Sequence, residues 1–382
     1  MSKPRQKFLE IFFQTLFVLR GKVNFSNLSR FSAWSEKTFR RNYRKTWDFV
    51  KMNLCSFGII DMGETVAAID ASSFTKAGKK TFGLGWFWSG SAKHTIRGLE
   101  ISCLALVSLR YWTAFSLSVY QTDGKVKNKS RMDTYIRQLK ECKDILVSRV
   151  KYLVADGFYC KINFVNAVLS IGLNFISRLR EDANMHYLFN GKHEKRRGRK
   201  SRYGGKFTGV DRRRWSFVSL LEYDKRNVEM YTAILYHKSL KRTIRVVALL
   251  NTENKKHILL FSTDLNLSAE KILEYYSSRF QIEFLFRDAK QHLGLEDCQS
   301  RNKKSLLFHF NATMTSLNLI KTDLQSQGRL ATDIPISIAD YKTEQTNRFL
   351  VQRITAKLGL SPEFVLNHPA YEELINFGRL VA

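Results

Sequence analysis

Two apolar runs of this chain, Thr65–Asp70 (TVAAID) and Val150–Asp156 (VKYLVAD), end on an aspartate. Valine, isoleucine, leucine and alanine dominate both, the pattern of buried strands. Leu99–Leu109 and Tyr111–Val119 are two more β-type runs between them, and Arg131–Lys143 has the basic and apolar faces of a helix. Ile162–Leu169 reads as a helix and Leu173–Leu179 as a further strand. Strands alternating with helices argue for an α/β fold, a sheet covered by helices. An aspartate at a strand end is commonly no more than a turn former.

Residues 1–60 depart from this pattern. They hold 12 Lys/Arg and three acids, and read as a helical, basic, DNA-binding domain. Phe8–Arg20 forms one helix and Asn24–Phe31 a short second element. Ser35 is a good N-cap for a third helix, Glu36–Met52. That helix carries Lys37, Arg40, Arg41, Arg44 and Lys45 beside Trp47 and Phe49. A helix, a short turn and a basic helix outline a helix-turn-helix, with Arg40, Arg41 and Arg44 as its DNA contacts. The competing reading is an amphipathic helix with a solvated charged face.

Residues 61–184 are the first part of the α/β core. Within 185–265 the chain changes again. Residues 185–214 hold 11 Lys/Arg and two acids, punctuated by five glycines, which reads as a flexible basic loop. Four strands follow: Trp215–Glu222, Val228–Tyr236, Thr243–Leu250 and His257–Ser262. Their connections are too short for crossover helices, so they are antiparallel. The stretch is therefore a mainly antiparallel, β-rich insertion. Residues 266–325 return to helix as the second part of the core, and 326–382 read as a small helical tail.

The chain has 382 residues, 63 Lys+Arg and 34 Asp+Glu, a formal charge of +29. Such a charge repels itself unless a polyanion offsets it, so nucleic acid is the expected partner. No run approaches the ~18 apolar residues of a membrane span. The five cysteines are scattered without a C-x-x-C pair, which argues against a zinc ribbon or a disulfide framework and fits a reducing cytoplasm. No H-x-x-x-H pair is present.

The helix after Ser268 contains Tyr276, Arg279, Glu283 and Lys290, at offsets 0, 3, 7 and 14. At about 100° per residue these fall within roughly 60° of arc. One face therefore offers a phenol, a guanidinium, a carboxylate and an ammonium. Arginine and lysine suit phosphate oxygens. Glu283 with Asp70 and Asp156 makes an all-oxygen donor set suited to Mg²⁺ or Mn²⁺. A pair of such ions supports in-line phosphodiester displacement. Read alone, Glu283 is equally a salt-bridged surface residue between Arg279 and Arg287.

The spacing Tyr276-x2-Arg279-x3-Glu283-x6-Lys290 resembles the YREK signature of the IS4-type DDE transposases. VAAIDASS (66–73) and VADGFY (154–159) resemble that family's first-Asp and second-Asp blocks, and 262–297 its C-terminal region. Phe280 stands where the family usually has Trp. The resemblance spans about 60–300 in the right order. It implies an RNase H-like core in which Asp70, Asp156 and Glu283 bind two Mg²⁺ ions, Mn²⁺ substituting, with Tyr276, Arg279 and Lys290 on transposon-end DNA. It further implies cut-and-paste transposition at terminal inverted repeats, a homodimer in the DNA complex, and cytoplasmic, nucleoid-associated location. An aromatic of the insertion that stacks on a flipped base is also implied. Trp215 is the candidate, against a core role for the same ring. Arg196, Arg197, Arg199 and Lys200 of the basic loop are expected to track phosphates. The alternative is an inactive or domesticated derivative that binds DNA without cutting. A metal-dependent nuclease outside transposition is a third reading.

Overall fold

A computed structural model describes residues 1–90, 92–124, 130–191, 203–223, 225–253, 256–330 and 337–380. The N-terminal helices are α1 (Lys3–Val18), α2 (Phe25–Arg30), α3 (Glu36–Tyr43) and α4 (Phe49–Phe57). Phe8, Phe12 and Leu16 make the buried stripe of α1. The two rings meet Trp34, Phe39, Tyr43 and Trp47 in one aromatic cluster. The single helix expected over 36–52 is two. The Trp47 indole N–H donates to the Asn42 carbonyl at 3.0 Å, consuming an acceptor at the end of α3. Asp48 then accepts from the Lys51 amide at 2.9 Å and caps α4. A tertiary ring contact and a new N-cap thus outcompete continued helix.

The core follows in β1 (Thr65–Thr75), β2 (Gly85–Ser89), β3 (His94–Ser108), β4 (Thr113–Gln121), α5 (Arg131–Glu141), α6 (Lys143–Arg149), β5 (Tyr152–Ala155), α7 (Ile162–Ser170) and β6 (Asn174–Leu179). β3 is antiparallel to β1 and β4, while β5 runs parallel to both β1 and β6. The order β4-β3-β1-β5-β6 is the mixed, RNase H-like sheet implied by the resemblance. β2 pairs with the N-terminal half of β3.

The insertion supplies β7 (Met185–Leu188), β8 (Tyr203–Lys206), β9 (Ser216–Tyr223), β10 (Arg226–His237), β11 (Arg242–Asn251) and β12 (His257–Ser262). β7 and β8 fall in the stretch read as a loop. β12 pairs antiparallel with β6, so the insertion prolongs the core sheet to twelve strands. Arg196, Arg197, Arg199 and Lys200 lie outside the described residues.

The chain ends in α8 (Ala269–Ser278), α9 (Phe280–Leu293), α10 (Lys303–Ser326), α11 (Ile338–Leu358), α12 (Pro362–Leu366) and α13 (Tyr371–Asn376). α10 lies along the free edge of β4. Asn318 accepts from the Ser116 amide and donates to the Ser116 carbonyl, at 2.9 and 2.8 Å. Asn311 does the same for Val119 at 3.1 and 3.0 Å. Lys321, fully buried, donates to the Ala114 carbonyl at 2.6 Å. Side-chain amides of a helix thereby stand in for the missing neighbouring strand and blunt the edge. The tail holds a helix of 21 residues, α11, longer than the small helices the sequence suggested. Its buried Glu344 meets Arg329, Arg348 and Arg379 at 2.9, 3.1 and 3.6 Å. Among the described residues no helix is long and apolar enough to cross a membrane.

Candidate active site

Ala68 of β1 faces Val154 of β5 across a parallel ladder. Asp70 and Asp156 each lie two residues further on, so they stand level, on the same side of neighbouring strands about 4.8 Å apart. The Asp70 carboxylate accepts from the Ala71 amide at 2.8 Å. The Asp156 carboxylate accepts from the Phe158 amide at 2.9 Å and caps the 3₁₀ turn Gly157–Tyr159 that follows β5. Burial raises both carboxyls. Asp70 is pushed up to about 7 by burial first and by the charge of Asp156 second, with Glu283 adding to the rise. Asp156 is raised by burial, against the lowering effect of the Phe158 amide and Arg279.

The opposing wall is the α8–α9 helix. Ser268 accepts from the Lys271 amide and starts it. At Arg279 the ladder tightens: its amide donates to the Tyr276 carbonyl at 3.2 Å, and its carbonyl accepts from Ile282 at 3.0 Å. The residue turns its guanidinium inward, 7% exposed at the side chain, where Nη1 pairs with Glu283 at 2.7 Å. The guanidinium lies over the Tyr276 and Phe280 rings, 5.6 and 4.6 Å from their centroids. Its Nε is buried without a hydrogen-bond partner among the described residues. Tyr276 is buried, and burial raises its phenol while Arg279 and Arg178 offset part of the rise.

Asp70, Asp156, Glu283, Arg279 and Tyr276 therefore share one electrostatic neighbourhood. Lys290 does not join it. It lies eleven residues beyond Arg279, about 16 Å along the helix, and its ammonium pairs with Glu296 at 3.0 Å. Arg40, Arg41 and Arg44 are exposed on or next to α3, and Arg40 bridges Glu36 at 3.2 Å. Trp215 is 4% exposed. Its indole donates to the Tyr187 hydroxyl at 3.1 Å and packs on Phe207, the core role rather than the stacking one.

Sequence reading passed over Arg178, which lines an open cleft with Asp156, Gly157, Phe158 and Arg180. The signal was present: a lone arginine in the apolar strand LNFISRL. The donor chemistry fits hard divalent cations, since buried, mutually repelling carboxylates are what such an ion neutralises. Among the described residues no three His, Cys, Asp or Glu side chains converge into a ligand group, and Glu283 is paired with Arg279.

No curated protein matches the chain. Among solved structures, similar ones include the piggyBac transposase synaptic complex with hairpin DNA, at 12% identity over 98% of this chain and 75% of that one, TM-score 0.41. Endonuclease V from Bacillus subtilis matches at 12% identity over 74% and 96%, TM-score 0.26. The NurA nuclease from Sulfolobus solfataricus matches at 11% over 73% and 92%, TM-score 0.27. TM-scores this low give these likenesses no weight for function. The family model of the transposase DDE domain matches residues 61–319, more than half of the chain, and the protein belongs to that family of DNA-cutting and strand-joining enzymes.

Proposed function

We propose that this enzyme cleaves and rejoins phosphodiesters at the terminal inverted repeats of an IS4-like insertion sequence, by cut-and-paste transposition. The observation that carries the reading is the level placement of Asp70 and Asp156 on adjacent parallel strands, facing Arg279 and Glu283. Asp70, Asp156 and Glu283 would hold two Mg²⁺ ions, or Mn²⁺, which supply Lewis-acid activation of the attacking oxygen and stabilisation of the leaving one.

The protein's own part is positioning. The strand ends fix two carboxylates whose burial makes their charge expensive without a cation. Arg279 orients Glu283 and sets a guanidinium, the group that suits a phosphate oxygen, beside the two aspartates. Tyr276 walls the guanidinium on its inner side. The exposed arginines of α3 and the basic stretch at 192–202 bind the DNA flanks, two protomers hold the two ends, and the reaction runs on the nucleoid in the cytoplasm.

The test is cleavage of DNA carrying the native flanks of the gene, in Mg²⁺, in Mn²⁺ and in EDTA, beside Asp156→Ala. Cutting at the element boundary that needs metal and disappears in the variant supports the reading. Binding to those ends with no cutting in either metal supports the inactive DNA-binding derivative instead.

A further inference from the structure

β2 has the sequence GWFWS, and its alternation is the reverse of what size alone dictates. Phe87 is buried, whereas Trp86 and Trp88 are 70% and 59% exposed. Tryptophan is highly buried on average, so two neighbouring exposed indoles on one short strand call for a reason. The strand is firmly held. It makes five register pairs with β3, from Gly85↔Gly98 to Ser89↔His94. The Phe87 ring packs so closely on Gly85 and Gly124 that a Cβ on either would lie 3.1 Å from it. The Ser73 hydroxyl donates to the Trp88 carbonyl at 3.1 Å. Ser73 is three residues past Asp70 on β1, about 10 Å along the strand.

The stretch of chain that carries the pair is one-sided in charge, with Asp123 beside it, next to the Gly124 that packs on Gly85. Residues 71–99 contain Lys76, Lys79, Lys80, Lys93 and Arg97, and no Asp or Glu. Lys79, Lys80 and Lys93 are exposed. Arg97 stands directly across from Trp86 and donates to the Gly78 carbonyl at 2.9 Å. Lys76 is turned inward onto the Cys298 carbonyl. A second copy of this patch would bring like charges together. An unpaired nucleic-acid strand satisfies both features, since its bases stack on aromatic faces and its phosphates neutralise lysine and arginine.

We propose that Trp86 and Trp88, with Lys79, Lys80, Lys93 and Arg97, form a platform on which unpaired bases of the DNA beside the cut site stack. The inference rests on the DNA-processing reading above. The experiment measures anisotropy of labelled oligonucleotides, single-stranded and fully paired, on the full-length chain at elevated salt, where phosphate contacts weaken. Wild type is compared with Trp86→Ala/Trp88→Ala and Trp86→Phe/Trp88→Phe. Removal of each stack is expected to weaken single-strand binding at least about fivefold, roughly 25-fold for the pair. Duplex affinity should stay unchanged, and the phenylalanine pair should restore part of the loss. Equal single-strand binding by wild type and the alanine pair overturns the platform and leaves the DNA reading standing. Loss of duplex and single-strand binding together also overturns it. A change from dimer to monomer on sedimentation, with single-strand affinity intact, shows a subunit interface instead. If wild type binds neither oligonucleotide, the DNA reading falls and the platform with it.

Discussion

Asp70 offers the sharpest test of the site's energetics. Burial and Asp156 move its carboxyl from the ordinary 3.8 up to about 7. A carboxyl with a higher pKa folded than unfolded binds its proton more tightly in the fold. The stability it allows is therefore full below about pH 4 and is lost as pH rises toward 7. Each pH unit between the two values removes about 1.4 kcal/mol, so the ionised group costs about 4 kcal/mol at pH 8. Asp70→Asn keeps the volume and the acceptor for the Ala71 amide and removes the charge. With an unfolding entropy of about 0.8 kcal/mol/K for a chain this long, the variant should melt about 5 °C above wild type at pH 8 in EDTA. The gap should close below pH 4. Saturating Mg²⁺ should raise the wild-type Tm far more than the variant's, because the ion binds the folded carboxylates. Calorimetry of both proteins across pH 4–8 measures all three effects. A variant no more stable than wild type at pH 8, or a gap independent of pH, would refute the argument that burial strains this carboxylate.

Lys321 gives the opposite sign. Burial pushes its ammonium down to about 8, so the fold loses stability as pH falls from 10.5 toward 8; Lys321→Met removes that charge but leaves the Ala114 carbonyl without its donor, so its Tm relative to wild type should be higher at pH 7 than near pH 10.5, and a difference independent of pH sinks the idea. Glu344→Gln leaves three arginines around a neutral side chain and should cost about 3 kcal/mol in urea unfolding, with α13 becoming the first site of limited proteolysis; an unchanged digest contradicts it. Replacing Arg40, Arg41 and Arg44 by alanine should reduce the salt slope of DNA binding by up to about 0.9 for each phosphate that the variant no longer neutralises. An unaltered slope removes α3 from the DNA interface.

What the sequence disclosed, and what it hid, follows local chemistry. The strands that carry or deliver Asp70 and Asp156 were legible because apolar runs of branched residues declare buried strands, and the four insertion strands because short loops forbid crossovers. The α3–α4 break was hidden because the Trp47 indole that takes the Asn42 carbonyl is a contact no helix periodicity encodes. α11 was hidden because its buried side includes Asp340 and Glu344, polar groups satisfied by the Leu380 amide and by Arg329 and Arg379, outside the helix. Lys290 shares the helix stripe of Tyr276 and Arg279 by angle, yet axial distance separates it from them.

The hydrogen bonds between β6 and β12 give the enzyme a ruler. From β5, which delivers Asp156, four strand spacings reach β10, whose far edge is shared by β9 and β7, a span of about 19 Å. A hinged domain would let that distance drift with each thermal swing. A continuous ladder does not, since lengthening it means breaking a row of backbone bonds. Any phosphate gripped on the insertion is therefore metered from the carboxylates by the backbone itself, and the position of the cut is as reproducible as the sheet is stiff.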